Sequence, residues 1–267
     1  MTRRELIGRP LPPLALTYHG LADVPLREDP YRLAVRPADF ARDVRLLRRW
    51  GYRLVAFGEL ARLARAGEAA GHAALTFDDG FADNLTTLVP LLRRLDAPAT
   101  VFVTSGWLGL PHPSAPWARI VDEEELRELA RSVEIGAHTV THPDLTGLTQ
   151  SAAEAELRGS REALERVIGR SVDTAAYPFG TATETTVAAC RAAGFAAACT
   201  TAGVGSWDDP FRLPRQAVGN RDTALGFWLK RHGRHEQVMR PLRPLLRTTP
   251  GAYWIGAVRK ARELAGG

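Results

Sequence analysis

Two acidic residues stand side by side at the end of an apolar run: Ala73-Ala74-Leu75-Thr76-Phe77 leads directly into Asp78-Asp79-Gly80. Neighbouring carboxylates that lose water and repel each other are costly without a counter-charge. A bound cation resolves the conflict. Adjacent side chains on an extended chain point to opposite sides, so one carboxylate can ligate a metal while the other faces a neighbouring reaction space. Asp-Asp-Gly is also ordinary turn chemistry, so the pair needs support from elsewhere. A second segment supplies it: Val133-Glu134-Ile135-Gly136-Ala137 runs into His138-Thr139-Val140-Thr141-His142. Histidines at i and i+4 can share one face of a helical turn and meet one cation. The chain has only 7 histidines, and two fall at this spacing behind a strand. Two imidazoles and one carboxylate leave open positions for water and substrate. That set suits Zn²⁺, and also Fe, Co or Ni. A third segment, Tyr177-Pro178-Phe179-Gly180, reads as a rigid turn whose backbone N–H groups can face a developing oxyanion.

These three segments follow strand-like runs, and the rest of the chain repeats the pattern. Strands are expected at 14–18, 52–56, 73–77, 99–104, 133–137, 174–177 and 196–200, and helices at 37–50, 58–66, 84–95, 122–130, 151–168 and 183–193. Pro37 suits a first helical turn, and Gly51 suits the stop of the same helix. Ser151 with Glu154 has capping-box spacing. Strand–helix alternation of this kind predicts a parallel α/β architecture, and seven units in about 200 residues favour a barrel. In such barrels the chemistry gathers where the strands end. The stretch 106–117, with Pro111, Pro113 and Pro116, is long for a connection. It is expected to wall a groove, with Trp107 or Trp117 available to stack on a ligand.

Composition bounds the rest. The chain has 267 residues, 45% hydrophobic and 24% charged, which excludes a disordered protein and fits one large domain with an appendage. No apolar stretch approaches the ~20 residues of a membrane span. The N-terminal segment carries charge without an apolar core, so a cytoplasmic location is expected. Cys190 and Cys199 read as small buried thiols. The net charge of +5 is uneven: from Arg212 onward there are twelve Lys/Arg against three Asp/Glu. We therefore divide the chain into a barrel, 1–220, and a basic, partly helical extension, 221–267. Helical patterns at 223–240 and 253–264 offer a basic face to an anionic membrane surface. A solvated helix surface explains the same charge, and no nucleic-acid partner is expected.

Taken in order, TFDDG (Thr76–Gly80), HTVTH (His138–His142) and YPFG (Tyr177–Gly180) resemble the first three motifs of the polysaccharide deacetylases, the NodB-homology proteins of carbohydrate esterase family 4. The resemblance runs from about Leu14 to Val218. It implies a distorted (β/α)7-type barrel that removes N-acetyl groups from sugars or glycoconjugates with one divalent metal, most often Zn²⁺. By motif position, Asp79, His138 and His142 match the metal ligands, Asp78 the general base, and the Phe179 N–H the oxyanion donor. Tyr177 and Pro178, with Trp107, are expected at the substrate. Two departures stand out. The family arginine before the motif proline is Ala176 here, and the late Leu-x-His motif carrying the general acid has no counterpart after Phe195. Leu16-Thr17-Tyr18-His19-Gly20 is similar instead to the first strand of the poly-N-acetylglucosamine deacetylase branch, which makes His19 the expected acid. Arg215, in Leu213-Pro214-Arg215, is the candidate to replace the missing arginine. Three other readings compete. One is a hydrolase of non-sugar amides or ureides on the same barrel. Another is an Fe(II) oxygenase, which the extra Asp78 disfavours. The last is an inactive sugar- or membrane-binding module, disfavoured by retention of both aspartates and both histidines.

Overall fold

Leu14–Tyr18 and Ala197–Thr200 are buried at every position rather than at alternate ones, as strands covered on both faces must be. The computed structural model describes residues 11–201, 205–219 and 227. Along the chain lie β1 (Leu14–Tyr18), α1 (Pro37–Arg49), β2 (Arg53–Val55), α2 (Phe57–Arg65), β3 (His72–Phe77), α3 (Val89–Leu95), β4 (Thr100–Val103), β5 (Pro111–His112) and β6 (Ala115–Arg119). They are followed by α4 (Glu123–Leu129), β7 (Glu134–Ala137), α5 (Gln150–Ile168), β8 (Thr174–Ala176), α6 (Glu184–Ala192), β9 (Ala197–Thr200), β10 (Leu213–Pro214) and β11 (Gln216–Ala217). Each of the seven expected strands appears within a residue of its expected ends.

The main sheet is parallel, in the order β10-β9-β8-β7-β4-β3-β1-β11, with β2 beside the first half of β3. Only Arg215 separates β10 from β11. One extended segment therefore pairs with β9 on one side (Leu213↔Cys199) and with β1 on the other (Leu16↔Gln216). The result is a nearly closed barrel of the (β/α)7 type, wrapped by the helices. Beneath it, the Glu134 carboxylate accepts from Gly58 N–H at 2.9 Å, Thr100 Oγ1 at 2.8 Å and Thr174 Oγ1 at 3.1 Å. It ties β4, β7 and β8 to the start of α2.

The local differences have physical reasons. The expected helix 84–95 opens with a π-helical turn, Asn84–Leu88, because Pro90 has no N–H to donate to the preceding turn. Helix α5 is capped by Thr149, whose hydroxyl accepts from Ala152 N–H. Ser151 lies inside the helix, and Glu154 pairs with Arg158 instead of closing a box. A capping box does form at Asp122 and Glu125. The hairpin β5–β6 and the closing strands β10 and β11 are additions to the expected set. Cys190 and Cys199 are buried free thiols. Among the described residues no helix is long and apolar enough to cross a membrane. The expected helices at 223–240 and 253–264 lie outside the described residues, apart from Phe227, whose ring stacks on Trp50 at 5.6 Å.

Candidate functional site

The end of β3 sends its two carboxylates in different directions. Asp78 turns toward the closing segment. Arg215 Nη1 donates to Asp78 Oδ1 at 2.7 Å and Nη2 to Oδ2 at 2.8 Å, the paired geometry in which guanidinium and carboxylate bind most strongly. Arg215 is fully buried. It also donates to Thr76 Oγ1, to the Thr200 carbonyl and to Thr201 Oγ1, and it lies over the Phe102 ring. Burial pushes the Asp78 pKa up, but Arg215 and then His138 more than offset this and hold it below the usual carboxylate range.

Asp79 takes a left-handed backbone conformation, φ 72°, and turns toward the histidines. Its Oδ1 lies 3.6 Å from His138 Nε2 and 3.6 Å from His142 Nε2. Those distances are too long for hydrogen bonds, and this buried oxygen has no hydrogen-bond partner. The ligand atoms of Asp79, His138 and His142 all lie within 4.8 Å of one another. His138 Nδ1 meets the Ala176 carbonyl at 2.8 Å, which fixes the ring and leaves Nε2 with its lone pair. Burial, followed by the neighbouring His138, lowers the His142 pKa to about 3, so its imidazole is neutral as a ligand must be. An orphaned carboxylate oxygen facing two imidazole nitrogens fits a divalent cation bound by two nitrogens and one oxygen, with a position left open.

The chain is strained where these groups meet. Among the described residues six non-glycines have positive φ, and four of them, Asp79, Thr139, His142 and Phe179, lie in this cluster. Such conformations cost about 1–3 kcal/mol each and persist where surrounding structure dictates them. The two histidines therefore do not ride a helical turn, as their spacing suggested. They sit at either end of a tight loop containing two left-handed residues. Glu156 of α5 holds that loop by accepting from Val140 N–H, Thr141 N–H and the Thr141 hydroxyl. Thr139 Oγ1 accepts from His142 N–H at 3.0 Å.

The remaining expected residues divide. His19 follows β1, half-buried. It is within electrostatic reach of Asp79, Asp78, His112 and His138, and burial lowers its pKa below the ordinary histidine value, the two carboxylates offsetting this only in part. Gly20 beside it has no room for a side chain, since a Cβ would lie 2.7 Å from the Trp117 ring. Phe179 meets His142 edge-on at 4.9 Å. Trp107 packs against His142 at 5.2 Å and His112 at 5.3 Å. Pro178 is buried within its turn. Tyr177 needs correction as a substrate-facing side chain. Its ring has no exposure and belongs to the core beside Cys190, and burial drives its pKa far above the usual tyrosine value. A side chain at the end of a barrel strand can point inward or outward, and here an apolar pocket under α6 took the ring. Sequence reasoning missed His112, whose Nε2 lies 3.1 Å from Asp79 Oδ2. Flanked by two prolines in a loop, it had no periodic or motif signal.

Comparison with known proteins bears on the family and the fold. Residues 66–198 match the family model for polysaccharide deacetylases. YxkH of Bacillus subtilis (strain 168), named for the same family, is 29% identical over 128 residues, which are 48% of this chain and 43% of that protein. A poly-beta-1,6-N-acetyl-D-glucosamine N-deacetylase of Escherichia coli (strain K12) is 28% identical over 138 residues, 47% of this chain and 20% of that protein. The matches thus span less than half the length of either relative. The fold is shared with the Streptococcus pyogenes deacetylase PplD, solved with acetate (TM-score 0.69, 23% identity, 80% of this chain and 95% of that one). It is shared equally with IcaB from Ammonifex degensii (TM-score 0.69, 22% identity, 83% and 96%).

Proposed function

Because this chain belongs to the polysaccharide deacetylase family, we propose that it hydrolyses the N-acetyl group of a sugar or glycoconjugate, releasing acetate and leaving a free amine. The observation that carries this reading is the division of labour between adjacent carboxylates: Asp78 is locked to Arg215, and Asp79 aims an unpartnered oxygen at two histidines. A divalent cation held by Asp79, His138 and His142, of the Zn²⁺, Co²⁺, Ni²⁺ or Fe²⁺ kind, would polarise the acetyl carbonyl and acidify a water molecule.

The chain's own groups do the rest. Asp78 is ionised at neutral pH, as its lowered pKa requires, and it accepts the proton of the attacking water. Arg215 keeps both Asp78 oxygens oriented, so the base presents one fixed geometry. The Phe179 N–H, on its left-handed turn, is assigned to the oxyanion. His19 gives a proton to the departing nitrogen, because an amine leaves poorly as an anion. Burial outweighs Asp79 and Asp78 and lowers the His19 pKa below the ordinary histidine value, so the two carboxylates offset only part of the cost of the charged imidazole that this step needs. The basic stretch beyond Arg212 supports a further reading, that residues 221–267 bring the barrel to an anionic lipid surface where a lipid-linked or polymeric sugar is processed.

The test uses N-acetylglucosamine oligomers, β-1,6- and β-1,4-linked, with acetate release as the readout. Asp78→Asn should abolish release from every substrate. His19→Ala should slow amide hydrolysis by ~10²–10⁴, the usual worth of a positioned acid, while an acetate ester with a good leaving group loses far less. Amide hydrolysis by His19→Ala at the wild-type rate would remove His19 from the mechanism. Inactivity on every N-acetyl sugar, with turnover of cyclic amides or ureides, would move the chain to non-sugar substrates.

A further inference from the structure

His112 sits on the hairpin β5–β6, outside the barrel strands, yet it is only 6% exposed. Its ring stacks flat on Phe81 at 4.7 Å and meets Trp107 edge-on at 5.3 Å. Both ring nitrogens are engaged. Ser114 N–H donates to Nδ1 at 3.1 Å, which makes Nδ1 the acceptor and places the ring proton on Nε2. Nε2–H then donates to Asp79 Oδ2 at 3.1 Å. A histidine with its lone pair turned to Ser114 and its proton turned to Asp79 is not disposed as a ligand itself.

Resting on the metal-site reading above, we propose that His112 is a positioning residue: it occupies Asp79 Oδ2 and so fixes Oδ1 as the single oxygen presented to the cation between His138 and His142. A carboxylate can bind a cation through one oxygen or both, and its side chain can rotate between them. With Oδ2 committed to a donor, Asp79 contributes one ligand atom, and a coordination position stays available for water and substrate. The hairpin is tied to the strand end it serves. Ala82 N–H donates to the Arg119 carbonyl and Val121 N–H to the Gly80 carbonyl, at 2.9 and 3.0 Å. His112 and Asp79 are therefore held in one local unit.

The test is Zn²⁺ titration of the metal-stripped full chain against a chromophoric chelator. The variants are His112→Ala, His112→Phe and His112→Gln, with His138→Ala for comparison. Both His112→Phe, which keeps the ring stacking, and His112→Ala should retain one site per chain with affinity weakened ~10–100-fold, the usual effect of losing such a partner. His112→Gln, whose amide N–H can donate in place of Nε2–H, should recover most of the loss. His112→Phe at wild-type affinity would overturn the inference, because the ring would then serve packing alone. Loss of the site as complete as in His138→Ala would also overturn it, because His112 would be a ligand. A wild-type chain that binds no divalent metal would instead bring down the underlying metal reading, an outcome distinct from both.

Discussion

Every polar atom of a wholly buried arginine needs an answer, and Arg215 finds its answers on Asp78, Thr76, Thr200 and Thr201. Asp83, a few residues past the site, is less well provided. Burial pushes its pKa up to about 6, against the Leu21 N–H and the Asn84 amide, which pull it down. Its folded value thus lies above its unfolded one. Between about pH 4 and 6 the unfolded chain gives up a proton that the folded chain keeps, so this group's contribution to stability falls as pH rises through that window. We expect Asp83→Asn to melt higher than wild type at pH 7.5, by on the order of 1–3 kcal/mol from ~1.4 kcal/mol per pKa unit. The advantage should vanish at pH 4, and thermal melts at the two pH values check this. An equal difference at both would assign the effect to shape instead of charge. The residue-level chemistry was legible where the signal was local. Asp78-Asp79 stands out because two acids end an apolar strand, and His138 and His142 because they repeat after one. The pairing of Asp78 with a residue more than a hundred positions away, and the burial of the Tyr177 ring, depend on how the barrel closes, and no local pattern carries that.

Among the elements, the floor of the barrel rests on one carboxylate. Glu134 on β7 accepts from Gly58 N–H and from two threonine hydroxyls on β4 and β8. Removing it leaves these donors unanswered, each worth roughly 1–3 kcal/mol when buried. Glu134→Ala should therefore lower stability by about 2–4 kcal/mol in denaturant unfolding, while the folded fraction keeps its metal affinity and turnover, since Glu134 lies at the opposite end of the strands from the site. Loss of turnover without loss of stability would contradict that placement. The long elements were legible because strands covered on both faces are apolar throughout and helices carry 3.6-residue periodicity. The hairpin β5–β6 was not, because Pro111, Pro113 and Pro116 punctuate it and its strands are short. Strands β10 and β11 are two residues each, with Pro214 in one of them. They exist as strands only because β9 and β1 are there to pair with them.

On the scale of the whole chain, charge is divided along its length: the final fifth is strongly basic and the remainder slightly acidic. Attraction of ~1 kcal/mol per basic residue near an anionic surface makes the proposed lipid contact measurable. Full-length protein should float with vesicles containing anionic phospholipid and remain behind with neutral vesicles or at high salt. Replacing Arg240, Arg243 and Arg247 with glutamine should reduce flotation without changing deacetylation of a soluble oligomer. Equal flotation by both proteins would separate the basic extension from any lipid contact.

The closing segment also sets an order in time. Leu16 pairs with Gln216, about two hundred positions further along the chain. At synthesis rates of roughly 5–20 residues per second, β1 waits on the order of 10–40 seconds for the strand that covers its open edge. Asp78 spends most of that interval without its guanidinium, whereas β9 (Ala197–Thr200) is made only just ahead of the segment that covers its edge. The nascent chain therefore holds the motif residues long before it holds the arrangement that makes Asp78 a fixed base. Assembly of the reaction centre waits until residues 213–217 join both edges of the sheet.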